Sequence, residues 1–174
     1  MTIDYDTLMN WPFPDIEQTY TERDSILYAL GVGLGNDPLD AGQLRYVFEE
    51  PELIALPTMA AVLGTPGFWL RETSTGVTWE TLLHGEQGIE LHRPLPPAAT
   101  VVAQTRVTDI LDKGEGRGAL IYTERHIHNR DSGEALAPSL LRPSPAVTEA
   151  SADPLSHSPA LTPYLIDRQT ESVI

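Results

Sequence analysis

The segment from Ala99 to Lys113 constrains the fold most strongly, because its side chains alternate in character along the chain. Small or apolar residues recur at every second position, at Val101, Ala103, Thr105 and Val107. Polar residues occupy the positions between them, at Gln104, Arg106 and Thr108. A two-residue period is typical of a strand with one buried face. The segment therefore predicts a long strand that covers a core on one side only.

A second strand is predicted directly after this one. The glycine-rich run from Lys113 to Gly118 is followed by Ala119–His128, in which Ile121 and Ile127 point to one side and Tyr122 to the other. Two strands joined by a short glycine-rich loop predict an antiparallel hairpin. His126 and His128 share one face at strand spacing. Because there is no cysteine and no evident third ligand, we expect exposed histidines there and no metal site.

Composition narrows the classes of protein. The 174 residues are enough for one domain with a core, and cysteine is absent, which suits a reducing compartment. No stretch is apolar for long enough to span a bilayer, and the N-terminus lacks the basic start of a signal peptide. A formal net charge of −14 disfavours nucleic acid and anionic membranes as partners. We therefore expect a cytoplasmic protein that binds neither.

The N-terminal half predicts one helix and one further strand. Thr21 or Asp24 can cap a short helix that runs through Leu30 and ends at Gly31. The segment 44–49 alternates, with Leu44, Tyr46 and Phe48 on one side, and predicts a strand.

An apolar run from Leu53 to Leu63 follows. Pro57 divides it into an extended piece and a helical piece that begins near Thr58. Glycines and a proline interrupt it soon afterwards, so this helix is expected to be short or broken. Beyond it come large apolar residues that either line a pocket or belong to an ordinary core: Phe68, Trp69, Leu70 and Trp79.

The C-terminal part changes character at Pro138. A strand is expected to begin at Glu134 and to stop after Ala137, because proline is excluded from the middle of a sheet. Prolines then recur to the end of the chain. We predict one domain over residues 1–137 and an irregular, Pro/Ser/Ala-rich tail over residues 138–174.

Several ordered sequence blocks resemble one family. They are Tyr20–Asp24, Tyr28–Gly33, Asp37-Pro38, Leu44–Glu49, Leu56–Thr58, Leu83–Gln87, Glu90–Pro96 and Asp109–Gly114. In this order and spacing they resemble the N-terminal half of enoyl-CoA hydratase 2 and its MaoC-like dehydratase relatives. The resemblance implies an α+β hotdog fold, in which an antiparallel sheet wraps around a central helix, here short or broken. It fades after Gly133, and one hypothesis is that a domain continuation was lost near Ala137.

The resemblance also implies a function. Family members hydrate trans-2-enoyl-CoA to (3R)-3-hydroxyacyl-CoA, a step of fatty acid β-oxidation, without a cofactor. His84 and Gly85 match the His-Gly pair that meets the acyl-CoA, and Lys113 matches a lysine that binds the CoA moiety. The alternatives are a hydrogen-bonded core histidine and an ordinary hairpin lysine. Because CoA is polyanionic, an acidic chain needs a local positive patch to bind it, and four cations could supply one: Arg93, Arg106, Lys113 and Arg117.

The family's catalytic motif, Asp-x-Asn-Pro-x-His, is absent from the 174 residues. Asn36–Asp40 is the nearest run, but Asp40 stands where a histidine is needed, so we interpret it as a turn. No catalytic residue is predicted. The chain is expected to be a substrate-binding half that forms a homodimer, or a heterodimer with a catalytic hotdog subunit. The alternatives are a non-catalytic acyl-CoA-binding or scaffold protein, a truncated remnant, and a thioesterase using Glu86 or Glu90.

Overall fold

An antiparallel sheet built on one long hairpin organises the molecule. The computed structural model describes residues 3–114, 117–139 and 145–146. The hairpin consists of β2 (Ala99–Asp112) and β3 (Ala119–Asn129), as predicted. β1 (Ile16–Tyr20) pairs with the other side of β2, and β4 (Ala135–Ser139) and the short β5 (Pro145–Ala146) pair with β3. The predicted antiparallel sheet is confirmed.

Side-chain alternation decides which face of the hairpin is buried. Val101, Ala103 and Val107 of β2 are buried, whereas Gln104 and Arg106 on the opposite face are exposed. On β3 the buried positions are Ala119, Ile121, Thr123, Arg125 and Ile127. The register places Thr105 opposite Arg125 and Val107 opposite Thr123. A bulge between Val107 and Asp109 then shifts the register, so that Ile110 returns to the buried face opposite Ile121.

Two apolar clusters pack against this inner face. One surrounds Ala103 and Ile127 and includes Met59, Ala60 and Leu63. The other surrounds Val107 and Ile121 and includes Ile3 and Leu8 from the N-terminal segment. Between the two clusters, the inner positions of the hairpin are held by Thr105, Thr123 and Arg125. The apolar core is therefore interrupted in the middle of the sheet by polar side chains.

The helices are short. They are α1 (Tyr5–Met9), α2 (Glu22–Gly31) and α3 (Ala41–Leu44), together with 3-10 turns at Pro57–Ala61, Trp69–Arg71, Thr73–Thr75 and Trp79–Thr81. The predicted α2 is confirmed. Its start is fixed because the backbone N–H and the hydroxyl of Thr21 both donate to the Asp24 carboxylate at 2.8 Å. No helix in the described ranges is long and apolar enough to cross a membrane.

The predicted strand at residues 44–49 is wrong. Leu44 ends α3, and the chain continues in turns in which the N–H groups of Val47 and Phe48 both donate to the carbonyl of Leu44. Asp40 starts this structure by accepting from the backbone N–H groups of Gly42 and Gln43. A local cap therefore overrides the alternating pattern.

The expected stop at Pro138 is also wrong. β4 runs on to Ser139, and Pro138 lies opposite His126 in its register. β4 lies at one end of the order β1-β2-β3-β4, and a proline that cannot donate to a ladder is tolerated on an edge strand. The domain boundary at residue 137 stays a prediction, since most of the tail lies outside the described residues.

The central helix is reduced to a five-residue 3-10 turn, Pro57–Ala61, close to the predicted start at Thr58. Met59 and Ala60 are buried against the sheet. Gly64 then turns the chain with a positive φ of 60°, and its N–H donates to Gln18 Oε1 at 2.6 Å. The chain leaves the core early, as the interruption by glycine and proline predicted.

Candidate functional site

A cavity of about 480 Å³ opens beside the hairpin, between the two apolar clusters. Its floor includes inner-face residues of β2 and β3, namely Thr105, Ile121, Thr123 and Arg125. Its walls come from two segments of the long connection between α3 and β2. They are Ala61, Thr65, Pro66, Gly67, Phe68, Trp69, Leu70, Leu82, Leu83, His84 and Gln87. The early end of the central turn is what lets the following chain form one wall.

Three of the four predicted aromatic and apolar residues line the cavity: Phe68, Trp69 and Leu70. Trp79 is not among its lining residues. Instead it packs edge-on against Phe68, with ring centroids 5.9 Å apart, and the guanidinium of Arg71 lies 4.8 Å from its ring centroid. Trp79 therefore supports the wall from behind.

The polar cluster that begins at His84 reaches the same cavity. Residues 83–91 contain no helix or strand, and within them His84 and Gln87 line the cavity, whereas Gly85 and Glu86 do not. The side chain of His84 is exposed, so the alternative of a core histidine is wrong. Glu86 and Glu90 are both exposed and outside the lining, which gives the thioesterase alternative no positioned carboxylate.

Lys113 lies at the turn of the hairpin, not at the cavity. Its backbone N–H donates to the carbonyl of Gly118 at 2.9 Å and closes the turn. It lies three positions beyond Ile110, which is opposite the lining residue Ile121, and a strand advances about 3.3 Å per residue. Lys113 is not among the residues that line the cavity, whereas His84 is. Lys113 is also the only lysine in the sequence.

The proposed positive patch is only partly available. Arg93 forms an ion pair with Glu134 at 2.8 Å, and Arg106 forms one with Glu124 at 2.6 Å. Burial raises the pKa of Glu124, but hydrogen bonds from Arg106 and His126 outweigh burial and hold the pKa below its usual value. Within the described ranges, Lys113 has no such ion pair.

Sequence reasoning missed the most unusual residue of the cavity, Arg125. Its side chain is 1% exposed, and its Nη2 donates to the carbonyls of Ala60 at 3.1 Å and Ala61 at 2.6 Å. Burial lowers its pKa to about 10, so it stays charged at neutral pH. The alternating pattern of the strand could have identified it. Arg125 is four positions after Ile121 and two before Ile127, so it lies on the face that these residues predicted to be buried.

The remaining sequence candidates have structural roles. Asp40 caps α3, and hydrogen bonds from the side chain and backbone of Gln43 lower its pKa. His126 lies 3.2 Å from the Glu124 carboxylate. In the part of the chain that the structure describes, no three His, Asp or Glu residues are grouped as a metal site would require.

Comparison with known proteins identifies the family. The family described as MFE-2 hydratase 2 N-terminal domain matches residues 18–140. A 3-hydroxyacyl-thioester dehydratase Y from Mycobacterium tuberculosis is 39% identical over 124 residues, which cover 70% of this chain and 41% of that protein. A peroxisomal enoyl-CoA hydratase 2 from Arabidopsis thaliana is 34% identical over 144 residues, which cover 75% of this chain and 44% of that protein. The chain thus spans less than half the length of these two relatives.

Solved structures agree with the fold. A MaoC-like dehydratase from Phytophthora capsici matches with a TM-score of 0.59 and 26% identity, over 80% of this chain and 49% of that one. The full-length peroxisomal multifunctional enzyme type 2 from Drosophila melanogaster matches with a TM-score of 0.53 and 26% identity. The match covers 87% of this chain and 27% of that one. The predicted hotdog fold is confirmed. The chain belongs to the MFE-2 hydratase 2 N-terminal domain family, among the MaoC-like hydratases and dehydratases.

Proposed function

We propose that this chain is the acyl-CoA-binding half of an enoyl-CoA hydratase or dehydratase whose catalytic residues lie in a second hotdog domain or subunit. The observation that carries the proposal is the cavity beside the shortened central turn. Its walls are mainly apolar, which suits an acyl chain, and they include the polar residues His84 and Gln87. The same segment carries the sequence block that resembles the family's acyl-CoA contact.

The CoA moiety has a separate candidate contact. Lys113 is the cation that matches the family's CoA-binding lysine, and a compact ammonium group suits a phosphate. Its position at the hairpin turn, away from the cavity, fits a ligand whose acyl chain and nucleotide end are far apart. Gly85 is proposed as a place where the backbone approaches the thioester closely, since no side chain intervenes.

Reaction chemistry is assigned to the second hotdog domain or subunit. Hydration needs an acid–base pair that holds one water, and the motif carrying that pair in the family is absent here. We therefore propose a homodimer, or a heterodimer with a catalytic hotdog subunit. The cytoplasm is the proposed location, although the Arabidopsis relative is named as peroxisomal.

Binding of a saturated acyl-CoA, measured by calorimetry, tests the proposal. Thr65→Trp should fill the cavity and weaken long-chain acyl-CoA binding by about tenfold, as expected for two methylene groups kept in water. Free CoA should bind the wild-type chain and the Thr65→Trp variant equally. Thr108→Trp, on the exposed outer face of β2, is the matched control. Equal binding of long-chain acyl-CoA to the Thr65→Trp and Thr108→Trp proteins would place the acyl chain elsewhere.

The lysine contact can be tested separately. Because Lys113 is the only lysine, an amine-reactive reagent modifies it and the N-terminus alone, and peptide mass spectrometry distinguishes the two. CoA should protect Lys113 and leave the N-terminus reactive. Lys113→Ala should weaken CoA binding by about two- to fivefold, as expected for an exposed ion pair, and Arg45→Ala should not. Unprotected Lys113 at saturating CoA would remove it from the site.

A further inference from the structure

Arg125 is a buried cation whose hydrogen bonds are incomplete. Nη2 is held by the carbonyls of Ala60 and Ala61, which end the central 3-10 turn. Nε is buried and has no hydrogen-bond partner within the described residues. A buried donor without a partner costs about 1–3 kcal/mol, and more when it is charged. Nη2 of the guanidinium is therefore held in place, and the buried Nε–H is left unused.

A second unused polar atom lies on the residue opposite. Thr105 pairs with Arg125 across the hairpin, and directly opposite side chains on one face have Cβ atoms about 5 Å apart. The Thr105 hydroxyl is also buried without a partner in the described part of the chain. Both residues line the cavity. Thr105 and Arg125 thus share one patch of the cavity floor, and each carries a buried side-chain atom without a partner.

The charge of this patch is also unbalanced. No Asp or Glu is among the residues that line the cavity, and none of the described ion pairs involves Arg125. The two unused groups can both donate, so an acceptor-only group satisfies them best. A carboxylate accepts hydrogen bonds from both groups and also balances the positive charge of Arg125. A hydroxyl or a carbonyl carries no charge and cannot balance it.

We propose that Thr105 and Arg125 form a subsite for a carboxylate at the far end of an acyl chain, so that this cavity takes ω-carboxyacyl-CoA thioesters. The inference rests on the proposed acyl-CoA function. The apolar walls hold the methylene chain, and His84 is the wall residue proposed to meet the thioester. The competing explanation is that Arg125 only anchors the central turn through Ala60 and Ala61.

Calorimetric titration of the wild-type chain with two series of thioesters tests the subsite. One series is saturated acyl-CoA, and the other is ω-carboxyacyl-CoA of matched chain lengths. We expect the carboxylate series to bind about tenfold to a hundredfold more tightly at the length that reaches the floor, as charged hydrogen bonds provide. Shorter members should show no preference.

Two variants separate recognition from folding. Thr105→Val removes one donor and leaves Arg125 and its carbonyl partners intact, so it should reduce the ratio of the affinities for the two series at the length that reaches the floor. Arg125→Met should abolish the preference, with circular dichroism to confirm the fold. Equal affinity of the wild-type chain for both series at every length would overturn the subsite and leave the proposed function standing. Failure of both series to bind would overturn the subsite and the proposed function together.

Discussion

Gly64 is the residue at which the close packing of the core is most easily tested. A Cβ added there would lie 2.2 Å from the Cβ of Ala103 on β2, and φ is +60°. Gly67 also has a positive φ, of 73°, but an added Cβ would meet nothing within 4 Å. The pair therefore separates steric overlap from backbone strain.

Gly64→Ala should lower the free energy of unfolding by about 2–5 kcal/mol, the sum of left-handed strain and overpacking. Gly67→Ala should lower it by about 1–2 kcal/mol, from strain alone. Urea unfolding followed by tryptophan fluorescence measures both. Equal losses in the two variants would mean that the chain after the central turn is not packed on β2.

Tyr20 gives a prediction at alkaline pH. Burial raises its pKa to about 12, and its hydroxyl donates to the carbonyl of Pro96 at 2.8 Å. Between pH ~10 and pH ~12 the unfolded chain loses this proton while the folded chain keeps it, so Tyr20 makes stability fall as pH rises. The pKa of Arg125 is lowered to about 10, so its titration makes stability rise with pH. The dependence of wild-type stability on pH therefore contains both effects.

Comparison with Tyr20→Phe isolates the tyrosine. The variant should be less stable at neutral pH by about 1 kcal/mol, because the Pro96 carbonyl loses its donor. The difference from wild type should shrink as pH rises from about 9 to about 11. Thermal unfolding followed by circular dichroism gives the measurement. A difference that stays constant over this range would show that Tyr20 titrates normally.

At the scale of elements, the N-terminal α1 is expected to be part of the core. Leu8 is 0% exposed and packs with Ile110 and Ile121 in the cluster beside the cavity. Leu8→Ala should lower the free energy of unfolding by about 2–5 kcal/mol. Leu39, which is 89% exposed, is the matched control, and Leu39→Ala should change stability by less than about 0.5 kcal/mol. An unchanged stability of Leu8→Ala would mean that α1 is detached in solution.

The hairpin was predictable from sequence, whereas the segment at 44–49 was not. Val101, Ala103 and Val107 alternate over a long strand, and a long pattern outweighs local interactions. At residues 44–49 the alternation is short, and Asp40 begins hydrogen-bonded turns just before it. Phe48 is 50% exposed, so the alternation there does not reflect burial.

The residues of the site were predictable from sequence only where they lie close together along the chain. The block around His84 led directly to one wall of the cavity, and Phe68, Trp69 and Leu70 led to another. The pairing of Thr105 with Arg125 joins positions in two different strands, so it depends on the hairpin register, which the glycine-rich turn leaves open. The contacts between Arg125 and the carbonyls of Ala60 and Ala61 are equally long-range.

At the scale of the molecule, the chain is expected to associate. Among the described residues, β1 and β4 end the order of the main strands, and a strand edge without a partner invites pairing. Half-exposed apolar side chains extend along and beyond α2, at Leu27, Leu30 and Val32. Sedimentation velocity at micromolar concentration should therefore show a dimer. A monodisperse monomer, alone and with a catalytic hotdog subunit, would contradict the proposed assembly.

The most direct measurement is hydration of crotonyl-CoA and a longer enoyl-CoA, followed by loss of the enoyl-thioester absorbance. The purified chain is assayed alone and with a catalytic MaoC-type subunit, and heat-denatured chain is the control. The chain alone should be inactive, because the Asp-x-Asn-Pro-x-His motif is absent. Addition of the chain should raise the activity of the catalytic subunit toward the longer substrate. Hydration by the chain alone would contradict the account, since the acid–base pair would then lie within these residues.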